Sequence, residues 1–449
     1  MLAGTSQERG LQPRVAVATL TQTFMEESQD LEVTVGALTY GRAAVARANG
    51  KVMFVEDVAP GDVARIRQVK DHGSYADAEL VELVAPGPSR VTPPCPIVQS
   101  CGGCCWQHVS YADQLQAKHA AVVEALRRIG GIEDPPVAPV VPSPNLLGYR
   151  NRLRLRFEGG RLGFYRSRTH SLVPIDDCLI ADERVRGALA AAEELVAGLD
   201  TRVMRVEIAS RGLLPGVIVA INSSGRLRPA DGHRVRAFLE RSEHSVKGVL
   251  MWGRGWKRQW GDVRRRFELD APLTVETRGA SFGQVNTEAN RLLVRDVLET
   301  AATGARDTVL DLYAGAGNYS LPLAMRCKRV IAVESDADAV AAGSESAAHA
   351  GLRNIEFHAQ RVEAFLEKGM RITPDLVVAN PPRDGLGTSA TAIARLRAPR
   401  LVYVSCNPTT LARDVKTFAT AGYAVLTVRP FDLFPHTFHV ETVCHARLT

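Results

Sequence analysis

The chain has 449 residues, room for about three domains at ~100–200 residues each, so a lone small module is excluded. Its 45% hydrophobic and 23% charged residues, with 37 Gly and 24 Pro, exclude collagen-like, coiled-coil and wholly disordered classes. The net charge of +6 is local: residues 141–170 hold seven arginines against Glu158, and residues 251–270 hold six basic side chains against three acidic ones. A concentrated positive face suits a polyanionic partner; the plainer reading is a solvated arginine-rich surface.

Residues 1–30 are polar and aperiodic and are expected to form a disordered tail. They lack the pattern of a secretory signal, and no apolar run approaches the ~18 residues of a membrane helix. A cytoplasmic protein without membrane contact is therefore expected. From Leu31 short alternating segments, punctuated by Gly36, Gly41, Gly50, Gly61 and Gly73, predict a five-stranded β-barrel within residues 31–90. Prolines 86, 88, 93 and 94 form a stiff boundary before the first cysteines.

Residues 91–270 read as an α+β central domain, with apolar residues at helical spacing over 110–131 and Gly130-Gly131 as the stop. Residues 271–449 alternate β runs with helical stretches (TVLDLYA, RVIAVE, NIEFHA, PDLVVANP, RLVYVSC, YAVLTVRPF, ETVCHARL), which predicts a doubly wound, mainly parallel Rossmann-like α/β sheet.

A cytosolic setting favours reading the eight cysteines as ligands or reactive thiols rather than disulfides. Cys95-x5-Cys101-x2-Cys104, with the distant Cys178, offers four soft donors suited to an iron–sulfur cluster or to tetrahedral zinc. Plain buried thiols are the bland alternative.

In the last domain, Thr308 to Ser320 runs as strand, glycine turn and helix, with Gly315 and Gly317 letting backbone approach a ligand. Glu334, ending the next strand, is placed to grip ribose hydroxyls. A dinucleotide fingerprint wants a third glycine where Ser320 stands, which disfavours NAD. Asp311 before the turn better suits a cofactor with a sulfonium and an amino group, as in S-adenosylmethionine. Asn380 and Cys406 fall at the ligand-binding edge of later strands. The Asn407-Pro408 turn after Cys406 is expected to aim a helix N-terminus at the thiol and lower its pKa. Glu441 enters the last strand 35 residues after the thiol.

The Ser405-Cys-Asn-Pro408 and Phe434-Pro-His-Thr437…Glu441 segments resemble those of the S-adenosylmethionine-dependent RNA uracil-5-methyltransferases. The particular likeness is to the 23S ribosomal-RNA branch, which has an N-terminal TRAM domain and an iron–sulfur cluster. The likeness covers about residues 31–449. It implies Cys406 as nucleophile and Glu441 as base. It also implies Gln284, Tyr313, Gly315, Asn318 and Glu334 as cofactor contacts, with Asn380 between cofactor and target base. Gln284 and Asn286 lie in the family's Phe-Gly-Gln-Val-Asn segment. The position of Asn380 is most often Asp in the family, and the usual acid near the adenine is replaced around Gln360 and Glu363. The same resemblance makes Cys95, Cys101, Cys104 and Cys178 ligands of a [4Fe–4S] cluster, with Cys105 a spare neighbour.

Uracil C5 is a weak nucleophile, so a thiolate adding to C6 would make it electron-rich enough to take a methyl group; a base would then remove the C5 proton. Arg150, Arg152, Arg154 and Arg156 alternate with largely apolar residues and are expected to project from one strand face as a phosphate-gripping row. Trp252, Trp256 and Trp260 are expected to pack a hairpin before they stack on bases. The expected partner is RNA, in the ribosomal branch 23S rRNA or an assembling subunit, and the chain is expected to act as a monomer. The alternatives are a transfer-RNA methyltransferase and an inactive RNA-binding protein on the same fold.

Overall fold

The computed structural model describes residues 30–241, 245–270, 272–369 and 373–449; positions 1–29 of the expected tail lie outside the described residues. Strands Leu31–Leu38, Ala44–Ala48, Lys51–Val55, Val63–Asp71 and Tyr75–Ala85 close into a barrel. Alternation explains the closure: Val33, Val35, Ala44, Ala46, Met53, Val55, Ala64, Ile66, Ala76 and Ala78 fill one apolar interior, while Glu32 and Thr34 face water.

The central region is a seven-stranded sheet in the order Trp256–Gly261, Val246–Gly253, Val217–Ser223, Val203–Ser210, Arg152–Glu158, Arg161–Tyr165, Leu172–Pro174. Helices Leu189–Ala197 and Pro229–Glu240 lay Leu189, Leu195, Val235 and Phe238 on one face of it, against Leu153, Leu155, Val206, Ile208, Val217 and Val219. Trp256 and Trp260 pack on this core and Trp252 on a smaller cluster across the sheet, the hairpin role expected of them. A separate hairpin, Arg264–Asp270 with Leu273–Arg278, straddles the position where the central and last domains were divided, and it packs on helix Ala337–His349.

All seven strand segments expected after residue 271 form one sheet. Its order is Ile355–Ala359, Arg329–Glu334, Thr308–Leu312, Leu376–Ala379, Arg400–Ser405, Glu441–Leu448, Tyr423–Phe431. The first five pair in parallel; Glu441–Leu448 is antiparallel to both its neighbours. Residues of alternate parity feed separate apolar cores on the two faces: Leu310, Leu312, Val377 and Tyr403 on one, Val309, Val378, Val402 and Val404 on the other.

The helix expected near 110–131 spans Tyr111–Arg128, capped by Ser110, whose hydroxyl accepts from the Asp113 amide. It leaves its neighbours in sequence and packs Val122 and Leu126 beside Leu411, Val415 and Phe418 of the last domain. Its Lys118 forms a fully buried ion pair with Asp432 at 2.5 Å and also donates to the Phe434 carbonyl. Residues 137 and 141 then bridge in parallel to Val428 and Phe431 of the sheet's last strand. The helix thus anchors the loop that leads to Glu441. Among the described residues, no helix is long and apolar enough to cross a membrane.

Candidate active site

The turn after Thr308–Leu312 is built as its glycines require. Gly315 has φ +57° and open space where a side chain would stand; at Gly317, φ +94°, a Cβ would come within 2.9 Å of Leu321. Tyr313 itself adopts φ +61°, a strained conformation costing roughly 1–3 kcal/mol that sets its ring into the crevice wall beside Ser389. Glu334 accepts the Gly315 amide at 3.0 Å and the Asp336 amide at 2.8 Å, which holds its carboxylate at the strand's end. Asn318 exchanges paired side-chain hydrogen bonds with Asn290 at 2.9 and 3.1 Å. Gln284 lies close by in sequence to Asn286, and its carbonyl accepts from Asn151. Asn286 caps helix Thr287–Ala301. Asn380 follows Leu376–Ala379, its amide bonded to the Leu312 carbonyl at 3.2 Å.

Asp311 lies in Thr308–Leu312, just before the turn. It is fully buried, hydrogen-bonded to Ser320 beneath the turn, and burial raises its pKa to about 7. Its other carboxylate oxygen, Oδ1, is buried without a hydrogen-bond partner. Glu363 approaches Ser389 at 3.5 Å, beside Tyr313, whereas Gln360 accepts from Lys368.

At the other end of the crevice, Cys406 is half-buried at the end of Arg400–Ser405, and Glu441 is buried at the start of the antiparallel strand two positions along from Leu376–Ala379 in the sheet. The following helix Pro408–Thr420 opens as expected, with Asn407 accepting the Thr409 amide. The expected lowering of the thiol pKa does not follow. Burial first, and the Glu441 charge second, push Cys406 up to about 11; the charge and hydrogen bond of Arg383 oppose this. Burial likewise pushes Glu441 up to about 8, again opposed by Arg383. Thiol, carboxyl and guanidinium thus share one electrostatic neighbourhood.

Arg383 was legible only as part of the Asn380-Pro-Pro-Arg383 run, without a role. Its guanidinium lies 3.2 Å from the His439 ring, and its carbonyl accepts from Asn407 and Thr410. Tyr40 had no sequence signal at all, yet its hydroxyl reaches the Cys406 carbonyl from the barrel.

Cys95, Cys101, Cys104 and Cys178 line a single cavity of about 260 Å³. Arg150, Arg154, Arg383 and His439 lie at its wall, and the Arg383 carbonyl also accepts from Asn407 and Thr410 of the turn after Cys406. As they stand, no three His, Cys, Asp or Glu among the described residues are grouped to hold a metal ion. The donor chemistry still suits a thiophilic centre. Burial holds Cys104 at about 12 and Cys178 at about 11, neighbouring thiols raise both further, and a bound cation is what would ionise them together.

The arginine row divides. Arg152 is buried, bridging to Glu207 at 3.2 Å and donating to the Ser281 carbonyl, so it is withdrawn from any phosphate. Leu153 and Leu155 fill the core opposite, but the sheet edge by Arg152 is covered by residues 281–286, which the alternation of one strand does not reveal. Arg154 is exposed although it also touches Glu207, Arg156 lies over the Tyr165 ring, and Arg150 turns back to the Arg152 carbonyl.

Comparison with known proteins follows this geometry. Residues 269–447 match the tRNA (Uracil-5-)-methyltransferase family model and residues 26–81 the TRAM domain model. An RNA methyltransferase of Gloeobacter violaceus is 34% identical, over 93% of this chain and 96% of its own. The chain belongs to the RNA uracil-5-methyltransferase family. Another member, the 23S rRNA (uracil(1939)-C(5))-methyltransferase RlmD of Hahella chejuensis, is 31% identical over 92% of this chain and 96% of its own. A Pyrococcus abyssi tRNA (uracil-54, C5)-methyltransferase, solved with S-adenosyl-L-homocysteine, superposes with TM-score 0.71 at 24% identity. It covers 93% of this chain and 100% of its own, a likeness of fold. The enzyme is therefore an S-adenosylmethionine-dependent RNA (uracil-C5)-methyltransferase with a TRAM barrel, and the Gly315 turn, with Glu334 at its rim, fits that cofactor.

Proposed function

We propose that this methyltransferase modifies a uridine of 23S rRNA, as the name of its Hahella relative indicates for that protein, through a transient bond between Cys406 and C6 of the base. The observation that carries the covalent route is the shared setting of a half-buried Cys406 and a buried Glu441 around Arg383. The thiol proton leaves to solvent, eased by Arg383, and the thiolate adds to C6. The electron pair displaced from the ring double bond makes C5 nucleophilic. When bound, S-adenosylmethionine would supply the methyl group to C5, its sulfur–methyl bond breaking as the C5–methyl bond forms and leaving S-adenosylhomocysteine. Glu441, as carboxylate, then takes the C5 proton; the electrons of that C–H bond restore the ring double bond and the C6–S bond breaks, returning the thiolate. The base must leave its stack to enter such a pocket, at a cost of roughly a few kcal/mol.

Gln284, Tyr313, Gly315, Asn318 and Glu334 form the cofactor side in this reading, with Asn380 at the junction. The barrel of residues 31–90, the exposed Arg154 and the half-buried Arg156 bind RNA, residues 91–270 carry the cysteine site, and residues 271–449 carry the chemistry. Cys95, Cys101, Cys104 and Cys178 hold a [4Fe–4S] cluster, whose role is to fasten the loop around Cys101 to the segment around Cys178. The enzyme works in the cytoplasm as a monomer.

The test is methyl transfer from labelled S-adenosylmethionine to unmodified 23S and transfer RNA. Incorporation into 23S rRNA alone supports the reading, incorporation into transfer RNA alone replaces the substrate, and binding without incorporation makes the chain a binding protein. Covalent RNA complexes resolved on denaturing gels test the adduct.

A further inference from the structure

The loop between the barrel's first two strands, residues 39–43, reaches across to two separate parts of the enzyme. It is tightly closed on itself: the Thr39 amide and hydroxyl both donate to the Ala43 carbonyl, at 3.1 and 2.6 Å, and the Gly41 amide donates to the Thr39 carbonyl. From this rigid base Tyr40 extends its hydroxyl to the Cys406 carbonyl at 3.2 Å and sets its ring edge-on to Phe438 at 5.5 Å. Two residues on, Arg42 donates to the Gly102 carbonyl of the cysteine loop at 3.1 Å and pairs with Glu56 of the barrel. The contact is backed by apolar packing, since Leu38 and Phe438 both pack against the buried cluster of Ala59, Cys105, Trp106 and Val109.

The hydroxyl lies among the working groups themselves. Burial raises the Tyr40 pKa, the charges of Cys406 and Glu441 raise it further, and Arg383 lowers it. A tyrosine of an RNA-binding module is thus half-buried inside the catalytic neighbourhood, 366 residues from the cysteine it touches. The Cys406 carbonyl accepts this bond at the turn itself. Cys406 sits between a strand end and a helix start, and it carries the side chain whose direction decides whether a thiolate meets C6.

We propose that Tyr40 is a positioning residue for methyl transfer: its hydrogen bond to the Cys406 carbonyl fixes the nucleophile's turn to the barrel, so that the RNA-binding module completes the catalytic centre. The role rests on the reading of Cys406 as nucleophile. It gives the barrel a task beyond adding RNA surface, because the Tyr40 hydroxyl ties the barrel directly to the backbone of the residue that carries the thiol. Tyr40→Phe keeps the ring against Phe438 and removes only the donor.

The experiment compares wild-type, Tyr40→Phe and Cys406→Ala full-length enzymes on the RNA that the wild type methylates. Tyr40→Phe is expected to lower kcat about tenfold and to slow single-turnover covalent adduct formation equally, with KM for RNA within about twofold of wild type. S-adenosylhomocysteine binding and the thermal midpoint are expected to stay at wild-type values. An unchanged kcat overturns the proposal, as does a rise in KM alone, which makes Tyr40 an RNA contact. Loss of cofactor binding with a lowered midpoint also overturns it, since the hydroxyl would then be serving the fold. Active Cys406→Ala overturns the nucleophile reading instead; inactive Cys406→Ala beside fully active Tyr40→Phe overturns only the role of Tyr40.

Discussion

Burial raises the pKa of Cys406 and, in the neighbouring cavity that Arg383 and His439 also line, of Cys104 and Cys178, but in different company. Cys406 feels the charges of a carboxyl, Glu441, and a guanidinium, Arg383, which is the company that the proposed proton transfers require. Cys104 and Cys178 instead face Cys101 and apolar walls such as Ile97, Phe164 and Ile180, in a cavity that Asp177 and His439 also line. A high thiol pKa therefore says little by itself; the neighbours decide whether the sulfur can turn over or must be held ionised by a metal.

The sharpest break in that comparison is Cys406→Ala, expected to remove methyl transfer and the covalent RNA complex below detection while leaving the four-cysteine cavity intact. Labelled-methyl incorporation and denaturing gels read both. Glu441→Gln is expected to lower turnover by roughly 10²–10⁴-fold and to accumulate the adduct, because the C5 proton then has no acceptor.

The same residue sets a pH signature. With Glu441 at about 8 and its ordinary value at 4.5, the carboxylate form grows as pH rises through 8. Wild-type kcat/KM is expected to climb between pH 7 and 9, and the residual activity of Glu441→Gln to lack that limb. A carboxyl with a raised pKa in the folded state stabilises fully below 4.5, and that stability is lost as pH rises through 8. The stability difference between variant and wild type should therefore move in favour of Glu441→Gln, by on the order of a few kcal/mol, as denaturation is followed from pH 4 to pH 9.

On the other side, Cys104→Ser is expected to lose the brown colour and bound iron of anaerobically purified protein, while Cys406→Ala keeps them. Stoichiometric zinc in the wild type would replace the cluster. The smallest contrast lies in the arginine row. Arg152→Ala is expected to cost about 3 kcal/mol of stability by leaving the buried Glu207 with only the exposed Arg154 as an ion-pair partner, whereas Arg154→Ala should cost the fold little, weaken RNA binding a few-fold and reduce its salt slope by about 1.

The strand segments were legible because local alternation and turn residues report on the pleat directly, and the motif ends at Cys406 and Glu441 fall where strands meet the ligand edge. Arg152 was not legible, because period 2 tells which residues share a face and nothing of what later covers that face. The raised thiol of Cys406 was missed for a related reason: a helix N-terminus can be read from Asn407-Pro408, but desolvation depends on everything packed around it. The path of helix Tyr111–Arg128 was equally hidden, since its amphipathic stripe specifies an apolar partner without naming one.

By itself the sequence determined the five-stranded barrel, the strand segments of the last domain, the helix after the first cysteines and the residue types that carry the chemistry, because each is written in spacing over a few neighbouring positions. Only the tertiary structure decided which charges are buried, that the charge of Arg383 acts on both thiol and carboxyl, and that Tyr40 of the barrel touches the turn of Cys406. Burial and electrostatics depend on distances between residues hundreds of positions apart, and no local pattern encodes those.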